Sequence, residues 1–159
     1  MTLPACLTFD NSGDLYVANF GNDTIEKLGT NGVGVVFAST PEPTGMAFDK
    51  NGDLYVANQG NNTILKFGTN GVATLFANTG LNIPADIAFD SGGNLYVANA
   101  GDGTIEKFDS SGNGSVFASG LSGPVGIAIQ VPEPSSWILV AVGVCAFLGT
   151  STKAVGSRH

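Results

Sequence analysis

A chain of 159 residues suits one domain, and 23 glycines with only 12% charged side chains favour a turn-dense β protein over a helical one. Residues 1–130 hold twelve Asp and Glu against four Lys, a net charge of −8, which argues against nucleic acid or an anionic membrane surface as a partner. Two cysteines, Cys6 and Cys145, make no disulfide framework, and the single histidine is His159.

The stretch Pro4-Ala5-Cys6-Leu7-Thr8-Phe9-Asp10 lines up with Pro43-Thr44-Gly45-Met46-Ala47-Phe48-Asp49 and with Pro84-Ala85-Asp86-Ile87-Ala88-Phe89-Asp90. The chain therefore begins inside a repeat, and an N-terminally truncated protein is expected. No basic stretch and apolar run precede that repeat, so the secretory signal expected of an exported protein is not among these residues.

Next comes a strand that recurs almost unchanged: Asp14 to Asn19, Asp53 to Asn58 and Asn94 to Asn99. Leu54 and Val56 point to one face and Tyr55 and Ala57 to the other. Both faces are apolar, as in a strand whose sheet lies between two others. Phe9, Phe48 and Phe89 are each followed 28 residues later by Phe37, Phe76 and Phe117. The next landmarks, Phe48, Phe89 and Ile129, come 11, 13 and 12 residues further on, so all length variation falls in one connection.

A period near 40 with four short strands per unit predicts propeller blades, because one small sheet cannot cover both its faces alone. In the second unit the strands are predicted at Gly45 to Phe48, Leu54 to Ala57, Thr63 to Phe67 and Val72 to Ala77. The fold class is all-β: three four-stranded antiparallel blades at about 4–43, 44–83 and 84–123, with one extra strand at 124–130 starting a fourth. Glycine-bearing turns such as Asp49-Lys50-Asn51-Gly52 separate the strands.

Pro-x-Gly-[Ile/Met]-Ala-Phe-Asp, then Gly-[Asp/Asn]-Leu-Tyr-Val-Ala-Asn, then Asn-x-Thr-Ile-x-Lys-Phe resembles the NHL repeat over residues 4–129, in three consecutive copies. Where that family often has Asp after Val-Ala, this chain has Asn19, Asn58 and Asn99.

From Val131 the composition changes. Pro132-Glu133-Pro134 lies in a linker, 131–136, and an apolar run from Trp137 to Leu148 follows, expected as a short helix within a segment 137–159 that carries Lys153 and Arg158 near its basic end. This order resembles the PEP-CTERM sorting signal of bacteria that make exopolysaccharide. The resemblance implies an exosortase-type processing enzyme as partner and transient membrane contact through 137–152.

Asn19, Asn58 and Asn99 close equivalent strands, and in a propeller they would ring one mouth of the axial channel; Asp86, which stands where Gly45 and Gly126 stand, would join them as a weak candidate metal site. Lactonases of the gluconolactonase type are similar propellers with a divalent metal at such a mouth. The Asn they carry after the loop proline is Thr44, Ala85 or Val125 here. Propeller lyases of the streptogramin type use histidines that this chain lacks. The turn Asp10-Asn11-Ser12-Gly13-Asp14 and its copies resemble the front of a calcium loop, but the bidentate Glu at its twelfth position is Gly21, Gly60 or Gly101. Glu26-Lys27 and Glu106-Lys107 alternate charge and are expected on an outer, solvated strand. No catalytic residue and no cofactor is expected.

The expected function is an exported, non-catalytic binding or scaffold propeller of the bacterial cell surface or exopolysaccharide matrix, with a polysaccharide or protein ligand. The alternatives are a metal-dependent hydrolase or lyase with part of its site on further blades, and a fragment without activity of its own. A homodimer is expected if the chain is expressed as written.

Overall fold

The structure is a computed structural model and describes residues 3–130. Twelve strands form three four-stranded antiparallel sheets, each in simple chain order. Blade 1 holds β1 (Pro4–Phe9), β2 (Leu15–Asn19), β3 (Thr24–Leu28) and β4 (Gly34–Ser39). Blade 2 holds β5 (Pro43–Phe48), β6 (Leu54–Asn58), β7 (Thr63–Phe67) and β8 (Ala73–Ala77). Blade 3 holds β9 (Pro84–Phe89), β10 (Leu95–Asn99), β11 (Thr104–Phe108) and β12 (Gly114–Ala118).

Each first turn is closed by its leading aspartate. The Asp49 carboxylate accepts from Asn51 N at 2.8 Å and Asp53 N at 3.0 Å, and Gly52 adopts φ +84°, which a residue with a Cβ takes only under strain. Asp10, Asp90 and Asp109 repeat this use of the side chain. Asn94 and Asn113 donate their side-chain amides to Asp90 and Asp109, which holds both carboxyls below the usual range. These oxygens close hairpins.

The alternation in the central strand decides how blades stack. Leu54 and Val56 are buried with Tyr16, Ala18 and Ile25 of blade 1, while Tyr55 and Ala57 are buried with Leu95 and Val97 of blade 3. Each tyrosine sits between two phenylalanines: Tyr55 meets Phe76 of its own blade at 5.0 Å and Phe89 of the next at 4.9 Å, both edge to face. Tyr16 repeats this with Phe37 and Phe48, each at 5.1 Å. Such pairs add about 1 kcal/mol each beyond area burial.

β1 packs on β5 and β5 on β9, so the first strand of each blade is the inner one. They approach closely. A Cβ on Gly45 would lie 2.5 Å from Asp86 Cα and 2.8 Å from Ile87 N. A register shift follows Ile25, Ile64 and Ile105 where the third strand meets the fourth, and such bulges add to the twist of the outer edge.

Two expectations are corrected here. The extra strand at 124–130 is not formed; the segment has no partner strands of its own and is held instead by Ile127 N, which donates to the Asp86 carboxylate at 2.9 Å. Glu106 does not lie on a solvated outer strand. It is on the third strand of four and only 6% exposed, because the connection from blade 2 packs over it: a Cβ on Gly80 would lie 2.9 Å from its Oε1. The predicted C-terminal helix, the linker 131–136 and the segment 137–159 lie outside the described residues.

Burial, with the charge of Asp102 added, pushes the Glu106 carboxyl above the usual range. A raised carboxyl means that the folded state binds the proton more tightly than the unfolded one. Its contribution is therefore fully present below the ordinary glutamate range and lost as pH rises through the raised value. Glu106→Gln is expected to stabilise the fold at pH 7 by about 1 kcal/mol. It should also flatten the pH dependence above the ordinary range. Urea unfolding at several pH values checks both; an unchanged midpoint at pH 7 would show that the carboxylate is adequately solvated.

Candidate functional site

Asn19, Asn58 and Asn99 stand at the same register, each opposite the threonine that begins the third strand: Thr24, Thr63 and Thr104. Their amides donate to these hydroxyls at 3.5, 3.3 and 3.1 Å. Each hydroxyl in turn donates to the side chain two residues back, Asn22, Asn61 or Asp102, at 2.9, 2.7 and 2.8 Å. The amide oxygens hold the incoming connections. Asn58 Oδ1 accepts from the Thr40 hydroxyl at 2.6 Å, and Asn99 Oδ1 accepts from Asn82 N at 3.2 Å while its amide also donates to Gly80 O at 2.9 Å. Asn58 and Asn99 are fully buried and Asn19 is 4% exposed.

The connections are tied down again around them. Asp23 Oδ1 accepts from Glu42 N and Asn62 Oδ1 from Ile83 N, both at 2.8 Å. All four of these residues have positive φ; for β-branched Ile83, at +51°, that conformation is costly and is held by the bonds on either side of it. The Thr44 hydroxyl donates to Pro84 O at 2.7 Å and so joins blade 2 to blade 3.

Asp86 lies elsewhere. It pairs with Ala98 in the β9–β10 ladder, and its two carboxylate oxygens accept from Ile87 N and Ile127 N, each at 2.9 Å. Its equivalents in the repeat are Cys6 and Gly45 on the inner strands of blades 1 and 2, and Gly126 in the segment after blade 3. The Cys6 thiol is pushed up chiefly by burial and also by the charge of Asp86, and it donates to Leu7 O at 3.8 Å. The structure thus brings Asp86 together with Cys6 and the inner-strand amides, whereas the three asparagines bond threonines and connections. Among the described residues no group of three or more His, Cys, Asp or Glu is placed to hold a metal ion.

One arrangement was not singled out from the sequence. Between the first turns of blades 2 and 3 lies a cleft of about 410 Å³, lined by Asp49, Tyr55, Lys66, Phe76, Phe89 and Asp90 among others. Lys66 Nζ is 2.8 Å from Asp53 and 3.7 Å from Asp49, and lies over the Tyr55 ring at 5.3 Å from its centroid. The hydrogen bond to Asp53 chiefly raises the ammonium pKa. Blades 1 and 2 enclose a smaller version, about 180 Å³, with Lys27, Asp10 and Tyr16. The signal was a constant spacing of thirteen residues in Asp14/Lys27, Asp53/Lys66 and Asn94/Lys107. The cleft is polar at its mouth and aromatic behind, and its cation is already neutralised.

Residues 40–67, the end of one connection and the first three strands of blade 2, match the NHL repeat. The chain carries an NHL repeat on a propeller-like fold. No curated protein matches the chain. Among solved structures, it is similar to a streptogramin B lyase at 22% identity and TM-score 0.70, over 78% of this chain and 44% of that one. It is also similar to a catalytically inactive histidine-to-alanine variant of virginiamycin B lyase from Staphylococcus aureus with quinupristin, at 18% identity and TM-score 0.66, over 86% and 44%. A gluconolactonase from Xanthomonas campestris follows at 19% identity and TM-score 0.60, over 71% and 46%. The chain therefore spans less than half the length of each, and at these identities the likeness is one of fold.

Proposed function

We propose that this chain is a non-catalytic binding or scaffold propeller, exported and held at the bacterial cell surface or in the exopolysaccharide matrix. What chiefly supports the non-catalytic part is that the asparagines at the blade ends are buried and spent on the fold: each has its amide on a threonine, and Asn58 and Asn99 also hold a connection. Export is supported by the order of Pro132-Glu133-Pro134, the apolar run and the basic Lys153 and Arg158, with an exosortase-type enzyme as processing partner. The inter-blade cleft is the natural place for a polysaccharide or protein ligand to begin contact, since its polar rim and aromatic wall suit a neutral ligand better than an anion.

A second reading is favoured by one observation: solved structures of similar fold include two lyases and a gluconolactonase. On that reading the chain supplies half of a hydrolase or lyase site and further blades supply the rest. Two features weigh against it. The Staphylococcus aureus enzyme is inactivated by loss of a histidine, whereas the one histidine here is His159; and the carboxylate of Asp86 is occupied by two backbone amides.

The purified chain is expected to show no lactonase or lyase activity and to take up no stoichiometric divalent metal in equilibrium dialysis. One bound calcium or zinc ion per chain, lost on Asp86→Ala, would overturn the non-catalytic reading. Export is tested separately: mass spectrometry of surface protein from a host with an exosortase should find a product cut after the linker, and recovery of an intact terminus through His159 would count against processing.

A further inference from the structure

Blades 1 and 3 each present a face that, among the described residues, no blade covers. On blade 1 it carries Leu7 and Phe9, 62% and 65% exposed. Their equivalents on blade 2, Met46 and Phe48, are packed against Tyr16 of blade 1, and those on blade 3, Ile87 and Phe89, are packed in the core shared with Tyr55 of blade 2. On blade 3 the open face carries Tyr96 and Phe117, the latter 63% exposed. The Tyr96–Phe117 pair, edge to face at 5.1 Å, repeats Tyr16–Phe37 and Tyr55–Phe76, and each of those receives the phenylalanine of the next blade. The two open faces are thus the two halves of a contact that the chain already makes twice.

We infer that this chain, when expressed as the 159 residues given, closes with a second copy of itself head to tail into a ring of six blades, each blade 3 receiving blade 1 of the other copy.

Blade number and area support that occupant. Propellers close with about four to eight blades, so two copies of three close a ring and three copies do not. Taking each open face as roughly 500 Å², the upper range for an exposed apolar patch, two such contacts bury about 2,000 Å² in all. A standard stable interface buries about 1,600 Å². The two faces differ in shape, so each contact is heterologous, and closure comes from making it twice around a two-fold axis.

Pro124 to Ile129 stands at present where the inner strand of the second copy would lie. Gly126, Ile127 and Ile129 match Cys6, Leu7 and Phe9 in the repeat, and Ile127 N bonds Asp86 as the amide of Leu7 of the partner subunit would. The segment makes a poor substitute. It forms no strand, and between it and Tyr96, Ile105 and Phe117 it leaves an open cleft of about 460 Å³. The partner's β1 arrives with three hydrogen-bonded strands behind it and displaces a segment with no ladder of its own.

The test is sedimentation equilibrium of the full chain at micromolar concentration in a mild non-ionic detergent that accommodates the apolar run 137–148. The wild type is expected at twice the monomer mass. Phe9→Asp and Phe117→Asp should each weaken association at least tenfold; both side chains are exposed in the single copy, and circular dichroism checks that the variants remain folded. An equimolar mixture of the two should associate again at higher concentration, because one intact contact survives between them. A monomeric wild type, a ladder of larger species, a dimer indifferent to both variants as the apolar run alone would give, or no recovery in the mixture would each overturn the ring. Should either variant fail to fold, Leu7→Lys replaces Phe9→Asp, and Tyr96→Lys replaces Phe117→Asp, in the same scheme.

Discussion

Gly45→Ala is expected to lower stability by about 3 kcal/mol, the upper range for overpacking a closed site. The reason lies in the spacing of the inner strands. The added Cβ meets backbone, Asp86 Cα at 2.5 Å and Ile87 N at 2.8 Å, so no side-chain rotation relieves it and β5 must move away from β9. That motion also strains the Thr44 bond to Pro84 O and the edge-to-face contact of Tyr55 with Phe89. Gly52→Ala is the control. Its Cβ meets nothing within 4 Å, and only the positive φ of +84° opposes it, which costs about 1 kcal/mol. Urea midpoints of the two variants against wild type read the difference. Equal losses would show that the inner strands part easily and that their approach contributes little.

The contrast between Gly45 and Gly52 also marks what the sequence could disclose. Gly52 was legible, since an Asp-x-x-Gly turn between two apolar runs states its own conformation. Gly45 was not, because its constraint comes from Asp86 on another blade, 41 residues away; Cys6 and Asp86 at equivalent positions even suggest that a side chain is tolerated there. The stacking of blades was legible in Leu54, Tyr55, Val56 and Ala57, whose alternation fixes which residues face which neighbour. The unformed strand at 124–130 was mispredicted because its sequence carries the same pattern as β1, β5 and β9 while a strand also needs partners in its own sheet. Glu106 misled for a similar reason: next to Lys107 it looks solvated, and only the path of the Gly80 connection buries it. At the blade ends the sequence placed the asparagines together by register but could not show where their amides go. That depends on Thr40, Asn82 and Gly80, in the connections where repeat length varies.

Asn58→Asp should cost about 3 kcal/mol at pH 7, although it exchanges one atom and keeps the side chain's shape. The amide is read in both directions at this position. Oδ1 accepts from the Thr40 hydroxyl at 2.6 Å, and Nδ2 donates to Thr63 Oγ1 at 3.3 Å, whose own proton goes to Asn61 Oδ1 at 2.7 Å. A carboxylate satisfies Thr40 but sets an acceptor against the Thr63 oxygen, and it places a charge where Asn58 is fully buried. Burial raises the pKa of such an aspartate above its unfolded value. The variant's stability is then fully present below the ordinary aspartate range and lost as pH rises through the raised value. Below that range the protonated carboxyl donates to Thr63 as the amide did, so the gap to wild type should close towards acid pH. Glu106 shifts wild type and variant alike, which makes the difference between them the quantity to measure. The same variant separates the structural from the metal-binding reading of the asparagines. If Asn58 lay at the mouth of a metal site, the aspartate would tighten it, and millimolar calcium would recover most of the lost stability; bound only to Thr40 and Thr63, the variant should melt at the same temperature with calcium or without. A gap independent of pH, or recovery by calcium, would remove the structural assignment of the three asparagines.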